Sequence, residues 1–308
     1  NKSTESVTLF TDRSIFISGE NLHFYAKVIS SDNTLPRKAS QILYCELISL
    51  DGIKISGSKY LINNSSAEGC LTIPTEQVSG IYYLRAYTKV MRNSGPEAYA
   101  NILIKIINPE RNDILVVDNN AKSNVHQMVR DSVESRKKAL SVEVNKQVFS
   151  PYETVSISLK SSDLHSSEIN DLCLSVIPET TESIPLIPQQ VRYEQQNKEL
   201  YYTEDQGLSL TGKLTGPGGA ALPGKIISLS VIGDGRDFMA SRTDTAGRFF
   251  FALPAYSGDR DLFISVQKTN LADVKIWVDN DFSAIPIHLA SSAFTLTEEE
   301  RKVAENMA

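Results

Sequence analysis

Four histidines, His23, His126, His165 and His288, are the side chains best able to ligate a transition metal or carry a proton near neutral pH. They lie far apart, with no HxH or HExxH spacing, so a zinc-type site would have to be assembled by the fold alone. Two carboxylates alternate in DNDF at 279–282. Asp279 and Asp281 are hard oxygen ligands of the kind calcium takes, and they equally suit an exposed turn after a strand. GPGG at 216–219 has no GK[ST] after it and runs into strand-like sequence, so it is not a phosphate loop. No GxSxG elbow supports a Ser/His/Asp set, and Glu204–Asp205 reads as solvated charge. No catalytic residue, cofactor site or metal site stands out, and the expected class is non-enzymatic.

Three tyrosines, Tyr193, Tyr201 and Tyr202, fall in the irregular stretch 179–206 and are the candidate recognition residues. Aromatic rings on loops stack on sugars or anchor protein partners; they can also simply cover a sandwich edge. Three cysteines, Cys45, Cys70 and Cys173, make no disulfide framework. Each sits in a strand-like run, where it reads as a small apolar residue. Alternation turns Leu71 and Ile73 inward and Cys70 outward, which disfavours a Cys45–Cys70 bridge.

The elements that must position these groups are β-strands. The chain has 308 residues and is 41% hydrophobic, long enough for two to three sandwich domains. Its net charge of −6 implies no strongly basic face, so nucleic acid is not an expected partner. No apolar run approaches the roughly 20 residues that span a bilayer as a helix. The first residues, NKSTES, contain no signal sequence; if the protein is exported, the signal has been removed from this chain.

One unit occurs twice. TDRSIFISGENLHFYAK at 11–27 recurs in outline at 144–160, at a constant offset: 145 − 12 and 153 − 20 both give 133. In register, Arg13 meets Lys146, Phe16 meets Phe149, Glu20 meets Glu153 and Lys27 meets Lys160. The repeat predicts tandem β-domains. Residues 1–109 form the first. Leu22, Phe24, Ala26 and Val28 alternate with His23, Tyr25 and Lys27; QILYCELIS is a near-continuous apolar strand; DG at 51–52 signals a hairpin. In GIYYLRAYT, Tyr82, Leu84 and Ala86 form the expected core face, and Tyr83, Arg85 and Tyr87 an exposed or domain-contacting stripe. Residues 110–140 are a polar linker, with Val125, Met128, Val129 and Val133 at the spacing of a short helix. Residues 141–206 are a second domain that opens with the repeat copy, includes a buried strand at 171–178 and is short of strands. Residues 207–308 are a third sandwich of six or seven strands. A capping box at Thr297 and Glu300 starts a terminal helix. No C-cap signal precedes Ala308, which points to a polypeptide that continues. The expected fold class is all-β, with tandem immunoglobulin-like sandwiches and a short C-terminal helix.

Three stretches carry a resemblance: LFTDRSIFISGENLHFYAKV at 9–28, YCELISLDG at 44–52 and GIYYLRAYTKVMRNSGPE at 80–97. They resemble the macroglobulin-like sandwich of secreted Bacteroidetes-type proteins. LTGKLTGPGGAALPGKIISLSV at 210–231 and RTDTAGRFFFALP at 242–254 resemble a carboxypeptidase-regulatory or transthyretin-like domain. Together these cover about two thirds of the chain. The resemblance implies an exported, periplasmic or outer-membrane-associated structural or binding module, with protein or glycan partners. A link to a TonB-dependent outer-membrane system is a further expectation, although no receptor plug is visible. Two alternatives remain open. One is a protease-interacting protein with a bait segment at 111–140 or 179–206. Glu76–Gln77 is similar to part of the macroglobulin thioester motif, but Thr75 precedes it and no cysteine is adjacent, so a thioester mechanism is excluded. The other is a glycan-binding module built on the exposed tyrosines.

Overall fold

The computed structural model describes residues 5–30, 39–50, 52–115, 141–160, 174–177, 192–193, 201–205, 207–233, 237–256, 258–267, 273–285, 287–288 and 294–307. The fold is all-β, as the sequence predicts, and among the described residues one α-helix follows the last strand.

Eight strands build the first sandwich: β1 (Glu5–Thr11), β2 (Ile15–Ile17), β3 (Asn21–Ser30), β4 (Ile42–Ile48), β5 (Lys54–Leu61), β6 (Ser66–Thr72), β7 (Gly80–Tyr87) and β8 (Ala100–Ile107). One sheet has the order β1-β3-β6. The other has the order β2-β8-β7-β4-β5, antiparallel except for the parallel β2–β8 pair. Leu22, Phe24, Ala26 and Val28 of β3 pack against Tyr82, Leu84 and Ala86 of β7 and Leu43, Cys45 and Leu47 of β4. This is the alternation read from the sequence. The β4–β5 hairpin turns at Gly52, whose φ of 80° lies in the left-handed region.

Every residue of β4 and of β7 is buried, on both faces. Two layers of a sandwich cover only one face of each strand, so a third layer covers the other. It comes from residues 201–205, 281–285 and 294–307.

In the second region, β9 (Ser141–Val144) and β10 (Ile157–Lys160) pair antiparallel and are exposed on both sides. β11 (Arg192–Tyr193) pairs not with them but with a later strand, β18 (Ile287–His288). The expected buried strand at 171–178 is not seen where it is described: residues 174–177 form no strand, and Leu174 and Val176 are exposed. Apolar sequence alone does not bury a segment that no sheet covers. The candidate helix at 125–133 and Cys173 lie outside the described residues.

The third sandwich has six strands: β12 (Ser209–Thr215), β13 (Ile226–Ile232), β14 (Phe238–Arg242), β15 (Arg248–Ala252), β16 (Asp261–Val266) and β17 (Lys275–Val278). They form sheets of order β15-β12-β17 and β14-β13-β16. Leu214, Ile227, Leu229, Phe249 and Phe251 fill the core. In the turn before β15, Asp244 Oδ1 accepts the backbone N–H groups of Ala246 at 2.9 Å and Arg248 at 2.8 Å. Gly247 has φ 76°, and a Cβ there would lie 2.6 Å from the Leu214 carbonyl oxygen. Helix α1 (Glu298–Met307) begins with the predicted capping box: Thr297 N–H donates to Glu300 Oε2 at 2.8 Å, and Glu300 N–H to Thr297 Oγ1 at 3.1 Å.

Candidate functional site

The outer face of the five-stranded sheet is where titratable and aromatic side chains converge. β4 presents Tyr44 and Glu46 there, and β7 presents Tyr83, Arg85 and Tyr87. They share a face because alternate residues of a strand point the same way, and the register sets Glu46 directly opposite Arg85 and Tyr44 opposite Tyr87. Arg85 and Glu46 form a buried ion pair, with 1% and 0% of their side chains accessible. Arg85 Nε donates to Glu46 Oε2 at 2.9 Å and Nη2 to the same oxygen at 2.6 Å. The guanidinium also lies over the rings of Tyr87 and Tyr99, and those two rings stack at 4.3 Å between centroids.

Two of the three covering segments close the part of this face around Tyr44 and Arg85. They lead into and out of the third sandwich, before β12 and after β17. In the trailing one, Ser283 N–H donates to Tyr87 Oη at 2.7 Å, and its carbonyl accepts Arg85 Nη2 at 3.4 Å. Phe282 sets its edge against Tyr44 and lies under the ammonium of Lys54 at 4.0 Å. In the leading one, the Glu204 carboxylate accepts the Tyr44 hydroxyl at 2.8 Å, and its carbonyl accepts Gln41 N–H at 2.8 Å. Lys89 bridges the two segments, 3.5 Å from both Glu204 and Asp281, and Lys59 pairs with Asp281 as well. Burial, reinforced by the Glu204 carboxylate, pushes the Tyr44 phenol well above its ordinary value; burial does the same to Tyr87, with Glu46 adding to it.

The candidate residues from the sequence separate here. The Arg92 guanidinium stacks over the Tyr201 ring at 4.0 Å from the centroid and donates to its hydroxyl at 2.9 Å. Asn93 brackets the Tyr201 backbone with bonds of 2.7 Å to its carbonyl and 2.8 Å from its N–H. Tyr201 is therefore a docking residue of the leading segment. Tyr202, next to it, is exposed. Tyr193 lies in β11, opposite Ile287 of β18. Asp281 is held by Lys59 and Lys89 of the first sandwich, whereas Asp279 accepts the Thr211 hydroxyl at 2.7 Å within the third. His23 is on exposed β3 positions opposite Cys70, and His288 is in β18, opposite Arg192. Cys45 is buried and Cys70 exposed, and both are free thiols.

Alternation made the Tyr83–Arg85–Tyr87 stripe legible, and the structure makes it domain-contacting and buried. The partners Glu46, Glu204, Asp281 and Ser283 were not singled out for this role. They come from segments between 39 and 198 residues from Arg85, and no local pattern announces them. One signal was available: a near-continuous apolar strand interrupted by one glutamate, beside a second strand holding one arginine, calls for a buried pair.

A separate cleft of about 1370 Å³ runs between the β5–β6 edge of the first sandwich and the third sandwich. Ser58, Tyr60, Glu68, Asp259, Arg260 and Leu262 are among its walls. No helix among the described residues is long and apolar enough to cross a membrane.

No protein-family profile matches the chain, and no curated protein matches it. Similar solved structures include α2-macroglobulin of Salmonella reacted with methylamine, 13% identical, with a TM-score of 0.27 over 90% of this chain and 15% of that one. Trypsin-activated α2-macroglobulin of Escherichia coli is 13% identical, with a TM-score of 0.27 over 92% of this chain and 16% of that one. Dimeric latent PorU of Porphyromonas gingivalis is 11% identical, with a TM-score of 0.24 over 90% of this chain and 34% of that one. The chain thus spans a minor part of each of these proteins, and likenesses this low carry no inference about ligand or activity.

Proposed function

We propose that this chain is a non-enzymatic structural or binding module of an exported bacterial protein, working at the cell envelope as a spacer that holds its terminal sandwich in a set orientation. The observation that supports this reading is the closed face. Its ionisable groups, Glu46, Arg85, Lys59, Lys89, Glu204 and Asp281, are engaged with one another and with the segments that flank the third sandwich. A reacting centre needs groups that can meet a substrate; these meet other parts of the chain. Clamping a domain at both its leading and trailing segments restricts hinge motion, which a spacer requires and a flexible linker would not provide.

The test is subcellular fractionation of the native host with an antibody to this region. Recovery with the periplasmic or outer-membrane fraction is the expected result. Intact protein in the cytosolic fraction overturns the reading. Co-purification with a TonB-dependent receptor from the membrane fraction is the finer expectation.

A further inference from the structure

The outer face of the β15-β12-β17 sheet carries a side-chain set that folding does not require. The register puts Arg248 of β15 and Trp277 of β17 directly opposite Lys213 of β12, one on each side. The three therefore form one row. Thr211 and Phe250 make the next row, and Thr215 and Lys275 the row on the other side. Like charges directly opposite in a ladder oppose pairing. Arg248 is relieved by Asp244 at 3.0 Å. Among the described residues, Lys213 and Lys275 have no ion-pair partner. Asp279 accepts the Thr211 hydroxyl and keeps its charge, so with Asp244 it leaves these five described side chains, Lys213, Arg248, Lys275, Asp244 and Asp279, at a net charge of +1.

Trp277 is 57% exposed and Phe250 48%. The indole Nε1–H donates to Thr215 Oγ1 on the neighbouring strand at 3.0 Å. That bond anchors the indole to the sheet by its polar edge, while more than half of the residue's surface stays accessible. Local rules broken without a gain in packing are what a binding site looks like.

We propose that this face binds an acidic glycan. The exposed indole of Trp277 stacks on a sugar ring, and Lys213 and Lys275 take the carboxylates of neighbouring uronate units as charge-assisted hydrogen bonds. The chain carries a net charge of −6, so attraction of an anionic polymer has to come from local cationic side chains such as Lys213 and Lys275. A membrane anchor would instead project its aromatic ring into the headgroup layer, whereas this indole is held to the neighbouring strand through its N–H. The site is separate from the docking face and from Tyr201 and Tyr202.

Trp277 is the single tryptophan of the chain, so its fluorescence reports on the site directly. Titration with polygalacturonate is expected to quench and shift the emission with saturation, and neutral dextran is expected to leave it unchanged. The Lys213→Gln/Lys275→Gln double variant should bind about tenfold more weakly without a lower melting temperature, and added salt should weaken binding of the native protein. Trp277→Phe, followed by retention in a polygalacturonate gel, should lose most of its retardation. The proposal is overturned by no Trp277 response, by an equal response to dextran, or by unchanged affinity in the double variant. A response to phosphatidylglycerol vesicles at least as strong as that to the polymer would assign the face to a membrane surface and also overturn it.

Discussion

Arg13 and Glu20 are joined at 3.0 Å across the turn between β1 and β3, and the same construction recurs in the repeat copy. Lys146 pairs with Glu153 there. Glu20 Oε2 accepts Ile17 N–H at 2.7 Å, and Glu153 Oε2 accepts Ser150 N–H at 2.9 Å. The cation lies over Phe16 in one copy and over Phe149 in the other. The repeated Phe, Glu and basic positions are thus a turn-closing device. Glu20→Ala loses both the ion pair and the backbone acceptor and should destabilise the first sandwich by about 1–3 kcal/mol. Glu20→Gln keeps an acceptor for Ile17 and should cost less. Urea unfolding midpoints of the two variants check the order.

The two copies place different residues at the one turn position that takes a positive φ in both. Gly19 has φ 91°, and Tyr152, which occupies the equivalent place, has φ 64°. A side chain with a Cβ resists that region, whereas glycine does not. Tyr152→Gly should leave the second turn intact or stabilise it, while Gly19→Ala should lower the stability of the first sandwich by about 1 kcal/mol or more. A Cβ at Gly19 would also lie 3.2 Å from Thr75 Cγ2. Thermal melts of the paired variants should move in opposite directions or leave Tyr152→Gly unchanged.

Glu46 and Arg85 are buried together, so losing one strands the other. Arg85→Ala should destabilise by about 3–5 kcal/mol. A Glu46→Leu/Arg85→Met double variant removes both charges and should recover most of that loss. A double-mutant cycle from urea midpoints measures the coupling.

Asp281 is the shared carboxylate of Lys59 and Lys89. Asp281→Ala removes both contacts and should loosen the third sandwich from the first, at about 1 kcal/mol for largely covered but solvent-reached pairs. Small-angle scattering should show a larger radius of gyration for the variant, and high salt should move the native protein the same way. An unchanged radius in both would show that Phe282 and Ser283 hold the domains without the charges.

Alkali should open the docking face. The phenols of Tyr44 and Tyr87 are raised above their ordinary value of 10.0, chiefly by burial. A raised folded-state pKa means the folded chain keeps protons that the unfolded chain releases. The stability this provides is complete below pH 10.0 and falls as the pH climbs toward the folded values. Tyrosinate absorbance should therefore appear in two steps, exposed phenols first and the buried ones together with loss of tertiary structure. Titration of all phenols in one step near the ordinary value would contradict this.

Much of the architecture was legible because it depends on neighbours close in sequence. Alternation in NLHFYAKV and GIYYLRAY sorted core from outer residues, DG at 51–52 marked a hairpin turn whose glycine takes a positive φ, and Thr297 with Glu300 announced α1. The buried strand expected at 171–178 shows the limit: an apolar run states a preference for burial, and a covering partner must supply it. Tyr201 shows a related limit: its contacts with Arg92 and Asn93 depend on the path of the chain and not on any local pattern.

The sequence by itself determined the all-β class, most strands of the first and third sandwiches, the turns between them and the repeated Arg/Lys–Phe–Glu turn. Each follows from periodicity, backbone sterics or hydrogen bonds over a few residues. Only the tertiary structure decided that the Tyr83–Arg85–Tyr87 stripe is covered, and by what. Which distant carboxylate meets which cation depends on the path of the whole chain, and no local preference encodes it. The same holds for Trp277: its identity is plain in the sequence, but its place beside Lys213 exists only once β12 and β17 pair in this register.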